Sequence, residues 1–148
     1  MRILITGAGG TLGSDVRSAA TAAGLDAVAF DHGALDVSDV DAVAKAVGDV
    51  CPDAVVNCAA WTDVDGAESR IEEALAANRD GAANLARTAA AAGSWTVHVS
   101  TDYVFDGERG PYSEDDVPNP RGVYARTKTA RAYKVQGTHT ALTTSLAS

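Results

Sequence analysis

Tyr124 and Lys128 stand four positions apart in the stretch VYARTK, residues 123–128. Positions i and i+4 share one face of a helix, so both side chains reach the same space. A phenol has an ordinary pKa of about 10, too high to exchange its proton readily near neutrality. An ammonium group beside it favours the phenolate and brings that value down. The pair raises the question of which chemistry would want a phenol and an ammonium group on one helix face. Such spacing arises by chance in many helices, so its meaning depends on the rest of the chain.

A second chemical motif lies near the start. TGAGGTLG, residues 6–13, sets Gly7, Gly10 and Gly13 at three-residue intervals, with Thr11 and Leu12 between the last two. The strict G-x-G-x-x-G spacing fails, because Leu12 stands where its last glycine would fall. The context still meets the physical need. Glycines after a strand let the backbone turn tightly and approach a pyrophosphate, whose charge then faces a helix N-terminus. Dinucleotide binding is therefore expected. Asp31 ends the second apolar run, where an acid hydrogen-bonds the adenosine ribose. No arginine adjoins it to receive a 2′-phosphate, which leans toward NADH over NADPH.

Both motifs need a scaffold, and the hydrophobic pattern supplies one. RILIT, DAVAF, DAVVNCAA and WTVHVS read as four strands. Between them, helices are predicted from Thr11 to Ala23, over SDVDAVAKAVGDV with Ser38 as N-cap, and from about Ala67 to Ala92 in one or two pieces. TDYVFDGERGPYSEDDVPNPRG is rich in Gly, Pro and Asp and reads as a long loop. A helix from Val123 then carries Tyr124 and Lys128. Alternating strands and helices with right-handed crossovers predict a doubly wound, Rossmann-like parallel α/β sheet.

Several stretches taken in order resemble the dTDP-4-dehydrorhamnose reductases, extended short-chain dehydrogenase/reductases that act on nucleotide sugars. They are TGAGGTLG, LDVSD, NCAAWTDVDGAE, HVSTDYVFDG, PYSEDDVPNP and VYARTK. The resemblance runs from Met1 to about Lys128. It implies reduction of the 4-keto group of a dTDP-6-deoxy-hexulose by NADH or NADPH. Carried over, it implies that Thr101 hydrogen-bonds the substrate oxygen and Tyr124 donates the proton. Lys128 would hold the nicotinamide ribose and lower the tyrosine pKa. Val64, Asp65 and Asp102 would lie by the substrate, and Asp36, Val37, Ala59 and Ala60 would join the glycine loop around the cofactor. Hydride addition to a ketone develops negative charge on oxygen, so a positioned acid fits such a reaction. Two other readings share this core: a nucleotide-sugar epimerase or dehydratase, and a non-catalytic NAD(P)-binding subunit like the beta subunit of methionine adenosyltransferase.

The sequence departs from the family after Lys128. Its Gly-Glu is absent, and TARAYKVQGTHTALTTSLAS follows. Only HTALTTSL there suits a strand. The expectation is a cofactor-binding domain over residues 1–128 and a divergent, poorly packed tail over 129–148. The substrate-binding lobe would be missing, as in a truncated gene product or, alternatively, a naturally short protein with its own tail. At 148 residues with net charge -8, the chain is one acidic domain without the basic footprint of a nucleic-acid binder. No apolar run reaches the roughly 20 residues of a membrane span. Cys51 and Cys58 lack paired metal-site spacing and read as buried thiols in a reducing cytoplasm. No metal is expected, and a homo-oligomer stays open. Trp61 is read as a pocket wall, Tyr103 and Phe105 as packing residues, His98 as buried, and Asn57 and Asn78 as partners of backbone groups.

Overall fold

Successive side chains of a strand point to opposite faces, and the strand Arg2–Thr6 (β1) uses both. Ile3 and Ile5 join a core cluster with Val16 and Ala20 of the helix Thr11–Ala22 (α1). Leu4 joins Val43 and Val47 of the helix Val40–Val50 (α2) and Leu85 of the helix Ala82–Ala91 (α5) in a second cluster. Leu4, Ile5, Val43 and Leu85 are wholly inaccessible to solvent, and burial of such side chains stabilises by about 1.5–3 kcal/mol each. The computed structural model describes residues 1–113, 115–129 and, as backbone, 140–145.

The remaining strands are Asp26–Phe30 (β2), Ala54–Asn57 (β3), Trp95–Thr101 (β4) and Thr140–Ser145 (β5). All pairings are parallel, in the order β2-β1-β3-β4-β5. The expected doubly wound, Rossmann-like sheet is therefore present. From β1 the chain steps first to β2 on one side and then to β3 on the other. Ligands of such sheets bind in the crevice at that reversal, beyond the carboxyl ends of the strands. The strand expected within HTALTTSL forms as β5, beside β4. The expected poor packing of the tail falls on residues outside those described.

Local expectations changed in four places. The N-cap of α2 is Asp39, whose carboxylate accepts from the Asp41 and Ala42 N–H groups. Ser38 is instead taken up by Asp36, to which its N–H and hydroxyl both donate. The helical region after β3 starts earlier and is more broken. It runs as Val64–Ser69 (α3), Ile71–Leu75 (α4), a π-helical segment Ala76–Gly81, and α5. β3 stops at Asn57, because its side chain turns back to accept from the Ala59 N–H, 3.0 Å away. Cys51 is exposed rather than buried, in a left-handed conformation at the end of α2, and Cys58 is half-buried.

The long loop is ordered around Asp106. Its carboxylate accepts from the Tyr112 hydroxyl at 2.5 Å, the Asn119 amide at 2.8 Å and the Glu108 N–H at 3.0 Å. These bonds, with Tyr112 foremost, hold it down at about 2. Phe105 stacks on Tyr112 at 4.4 Å between centroids, and Arg121 pairs with Glu108 across the loop. The segment returns the chain to the helix Val123–Thr129 (α6).

Candidate functional site

A cavity of about 770 Å³ opens at the carboxyl ends of β1, β3 and β4. The glycine turn forms one wall. Gly7 has φ +68°, a left-handed conformation suited to glycine. A Cβ built there would lie 2.6 Å from the Ala59 nitrogen, and one at Gly13 would lie 2.2 Å from the Gly7 carbonyl oxygen. Those two glycines thus let β1, β3 and α1 close on one another. At Gly10 the nearest atom to a Cβ is the Gly7 oxygen, at 3.4 Å. Gly10 is also the N-cap of the 12-residue α1, with no side-chain cap and no acid in the first turn. The helix N-terminus keeps its positive end open toward the cavity, as an anion site requires.

The opposite wall carries Thr101, Tyr124 and Lys128. Thr101 ends β4, and Tyr124 and Lys128 sit on α6. The Val123 N–H, at the start of α6, donates to Glu68 Oε1 of α3 at 2.8 Å. Tyr124 is buried with Val64, Ala67 and Ala74 around it, and Tyr103 meets its ring edge-on at 5.8 Å. Asn78, 1% exposed in the π-helical segment, ties these parts together. Its oxygen accepts from the Trp61 N–H at 2.9 Å, and its amide donates to the Trp61 carbonyl and to Thr127 Oγ1. Thr127 in turn donates to the Tyr124 carbonyl at 2.7 Å. Beneath the cavity, the register aligns Thr6, Asn57 and His98 across three strands. The Thr6 hydroxyl donates to Asn57 Oδ1 at 2.7 Å, and the Asn57 amide lies 3.0 Å from His98 Nδ1. Burial pushes His98 down to about 4, with the Lys128 charge adding to it.

The electrostatics correct one expectation. Burial raises the Tyr124 hydroxyl above its ordinary value, a hydrogen bond with Thr101 offsets part of this, and the Asp102 and Tyr103 charges add to the rise. Lys128 Nζ donates to the Val99 carbonyl at 2.8 Å, and burial pulls its pKa down to about 8. Its charge is felt by Cys58, whose thiol burial raises.

Most residues expected at the site line one cavity: Gly7, Gly10, Thr11, Leu12, Gly13, Asp36, Val37, Ala59, Ala60, Thr101, Tyr124 and Lys128. Four do not. Asp31 turns its carboxylate back to its own loop, accepting from the Ala34 N–H at 2.9 Å. Val64 packs behind Tyr124. Asp65 is exposed in the first turn of α3. Asp102 is exposed at the start of a 3-10 turn, Asp102–Val104, and accepts from Thr101 Oγ1 at 3.2 Å. Sequence reasoning missed His32, Leu35, Cys58, Val99 and Ser100, which also line the cavity. The cue was available for Cys58, Val99 and Ser100, which lie at the carboxyl ends of β3 and β4. Trp61 does form part of the wall, with Arg70 stacked 4.3 Å over its ring. Among the described residues no cluster of His, Cys, Asp and Glu suits a metal ion, and no helix is long and apolar enough to cross a membrane.

The dTDP-4-dehydrorhamnose reductase of Mycobacterium tuberculosis is 47% identical over 136 residues, covering 87% of this chain and 43% of that protein. A crystal structure of the Bacillus anthracis dTDP-4-dehydrorhamnose reductase in complex with NADP superposes with a TM-score of 0.84 at 36% identity, covering 87% of this chain and 46% of that one. The methionine adenosyltransferase 2 subunit beta of Bos taurus is 37% identical over 134 residues, covering 86% of this chain and 40% of that protein. The chain spans less than half the length of each of these relatives. The sequence model of the RmlD substrate binding domain matches residues 1–144, and the chain belongs to that family.

Proposed function

We propose that this chain is the cofactor-binding and proton-transferring part of an NAD(P)H-dependent oxidoreductase that reduces the 4-keto group of a dTDP-6-deoxy-hexulose, giving dTDP-L-rhamnose. The observation that carries the reading is the convergence, on one cavity, of an uncapped helix N-terminus behind a glycine turn with Thr101, Tyr124 and Lys128. The glycine turn and Gly10 would take the pyrophosphate, and Asp36, Val37, Ala59 and Ala60 would flank the dinucleotide. Reduced nicotinamide, when bound, supplies the hydride. Thr101 would hold the keto oxygen. The Tyr124 hydroxyl, kept protonated by burial, would give that oxygen its proton as charge develops. Lys128 would sit against the nicotinamide ribose. Residues 1–128 would form the binding unit, with 129–148 a divergent tail. Two free thiols suit a cytoplasmic setting.

The test is NADPH oxidation with the 4-keto sugar nucleotide. Tyr124→Phe is expected to keep cofactor affinity and lower turnover by at least about 100-fold, the usual worth of a positioned acid. Equal turnover in that variant sinks the assignment. A second reading, a non-catalytic cofactor-binding subunit, draws on the similarity to the Bos taurus subunit. It expects tight NADPH binding and no turnover even when the unmatched part of a reductase relative is appended.

A further inference from the structure

We propose that His32, and not the acid at the end of β2, sets the preference between NADPH and NADH. The inference rests on the cofactor reading above and deepens it. In doubly wound sheets the two dinucleotides are told apart just beyond β2, where one presents a ribose hydroxyl and the other a 2′-phosphate. The first residue beyond β2 is Asp31, which by position alone would be the discriminating acid. Its carboxylate accepts from the Ala34 N–H at 2.9 Å, and it does not line the cavity. The next residue, His32, does line it, alongside Gly9, Gly10 and Asp36. The Ala8 N–H donates to the Phe30 carbonyl at 2.9 Å, fixing the glycine turn against the end of β2.

Charge around the cavity narrows the assignment further. Among the described residues, the acidic and basic side chains on its lining besides His32 are Asp36 and Lys128. Lys128 is held on α6 against the Val99 carbonyl of β4, on the far side of the sheet order from β2. Asp36 is fixed by Ser38, whose hydroxyl donates to it at 2.7 Å. Ser38 holds its carboxyl below the ordinary value, and the nearby His32 adds to that. Among the described acidic and basic side chains that line the β2 end of the cavity, His32 can donate to a phosphate and Asp36 repels it.

The experiment is calorimetric titration of NADPH and NADH into the full chain and three variants at one pH and salt concentration. His32→Arg supplies a bidentate phosphate partner, and is expected to raise the NADPH-to-NADH affinity ratio by about tenfold. His32→Glu is expected to lower it by at least about tenfold through like-charge repulsion. Asp31→Asn keeps the oxygen that serves Ala34 and removes only the charge, and is expected to move the ratio by less than about twofold. His32 is exposed, so these variants are expected to fold, which circular dichroism checks. A ratio that ignores both His32 substitutions, or that follows Asp31→Asn as strongly, overturns this inference and leaves the cofactor reading standing. Failure of the unmodified chain to bind either dinucleotide overturns both.

Discussion

A side chain built at Gly10 would meet nothing closer than the Gly7 oxygen, at 3.4 Å, whereas at Gly7 and Gly13 it would strike backbone within 3 Å. The three glycines therefore do different jobs. Gly7 and Gly13 are required by the fold, whereas at Gly10 the fold leaves room for a side chain. Gly10→Val is expected to keep its unfolding midpoint close to that of the parent while weakening NADPH binding by roughly 100-fold, or about 2.7 kcal/mol. A folded variant with unchanged affinity would remove the glycine turn from the binding site. Lys128 gives the converse case, a residue whose burial opposes stability. Its pKa is pulled from 10.5 to about 8, so the folded chain binds this proton less tightly than the unfolded one. The cost of burying the charge is full below about pH 8 and fades as pH rises to 10.5. Lys128→Met is thus expected to stabilise the cofactor-free chain by about 1–3 kcal/mol at pH 7. Urea unfolding should show that gain shrinking between pH 8 and 10.5.

Among the elements, the π-helical segment is the joint of the site. Asn78 sits in it, and through Trp61 and Thr127 it fixes the loop after β3 to α6. Extra-residue helical turns of this type often mark functional positions. Asn78→Ala leaves the Trp61 N–H and the Thr127 hydroxyl without this partner, and each buried orphan costs about 1–3 kcal/mol. We expect a loss of that order or more in urea unfolding, together with weaker cofactor binding, because the wall at Trp61 and the helix of Tyr124 then move independently. A loss under about 0.5 kcal/mol would mean that water replaces the amide. Asp39 makes a useful control. As the N-cap of α2 it bonds two N–H groups far from the chemistry, so Asp39→Ala is expected to cost about 1 kcal/mol without changing affinity.

For the molecule as a whole, the chain spans less than half the length of either reductase relative, 43% of the M. tuberculosis protein and 46% of the B. anthracis structure. Binding energy from remote parts of a substrate orients its reacting carbon, and misplacement by about 1 Å costs roughly 100-fold. Expressed alone, the 148-residue chain is expected to bind NADPH and to reduce the keto sugar at least about tenfold more slowly than the M. tuberculosis relative, roughly 1.4 kcal/mol or more in barrier. Steady-state NADPH oxidation by the two proteins side by side decides this. Turnover within that margin would show that the described cavity holds the sugar unaided.

Much of this was legible in the sequence, for local reasons. The glycine turn, the alternation of strands and helices, and the shared face of Tyr124 and Lys128 all follow from spacing within a few residues, and backbone geometry converts such spacing directly into position. The doubly wound parallel sheet follows from that alternation, while its strand order is seen in the structure. What the tertiary structure decided depends on groups far apart in the chain. Asp31 and His32 are neighbours in sequence, yet the acid accepts from the Ala34 N–H while His32 lines the cavity. Val64 packs behind Tyr124 because α3 docks on α6. The direction of the Tyr124 shift is set by burial, while Lys128 bonds a carbonyl 29 residues away. Desolvation depends on everything that packs around a group, and no local pattern encodes it.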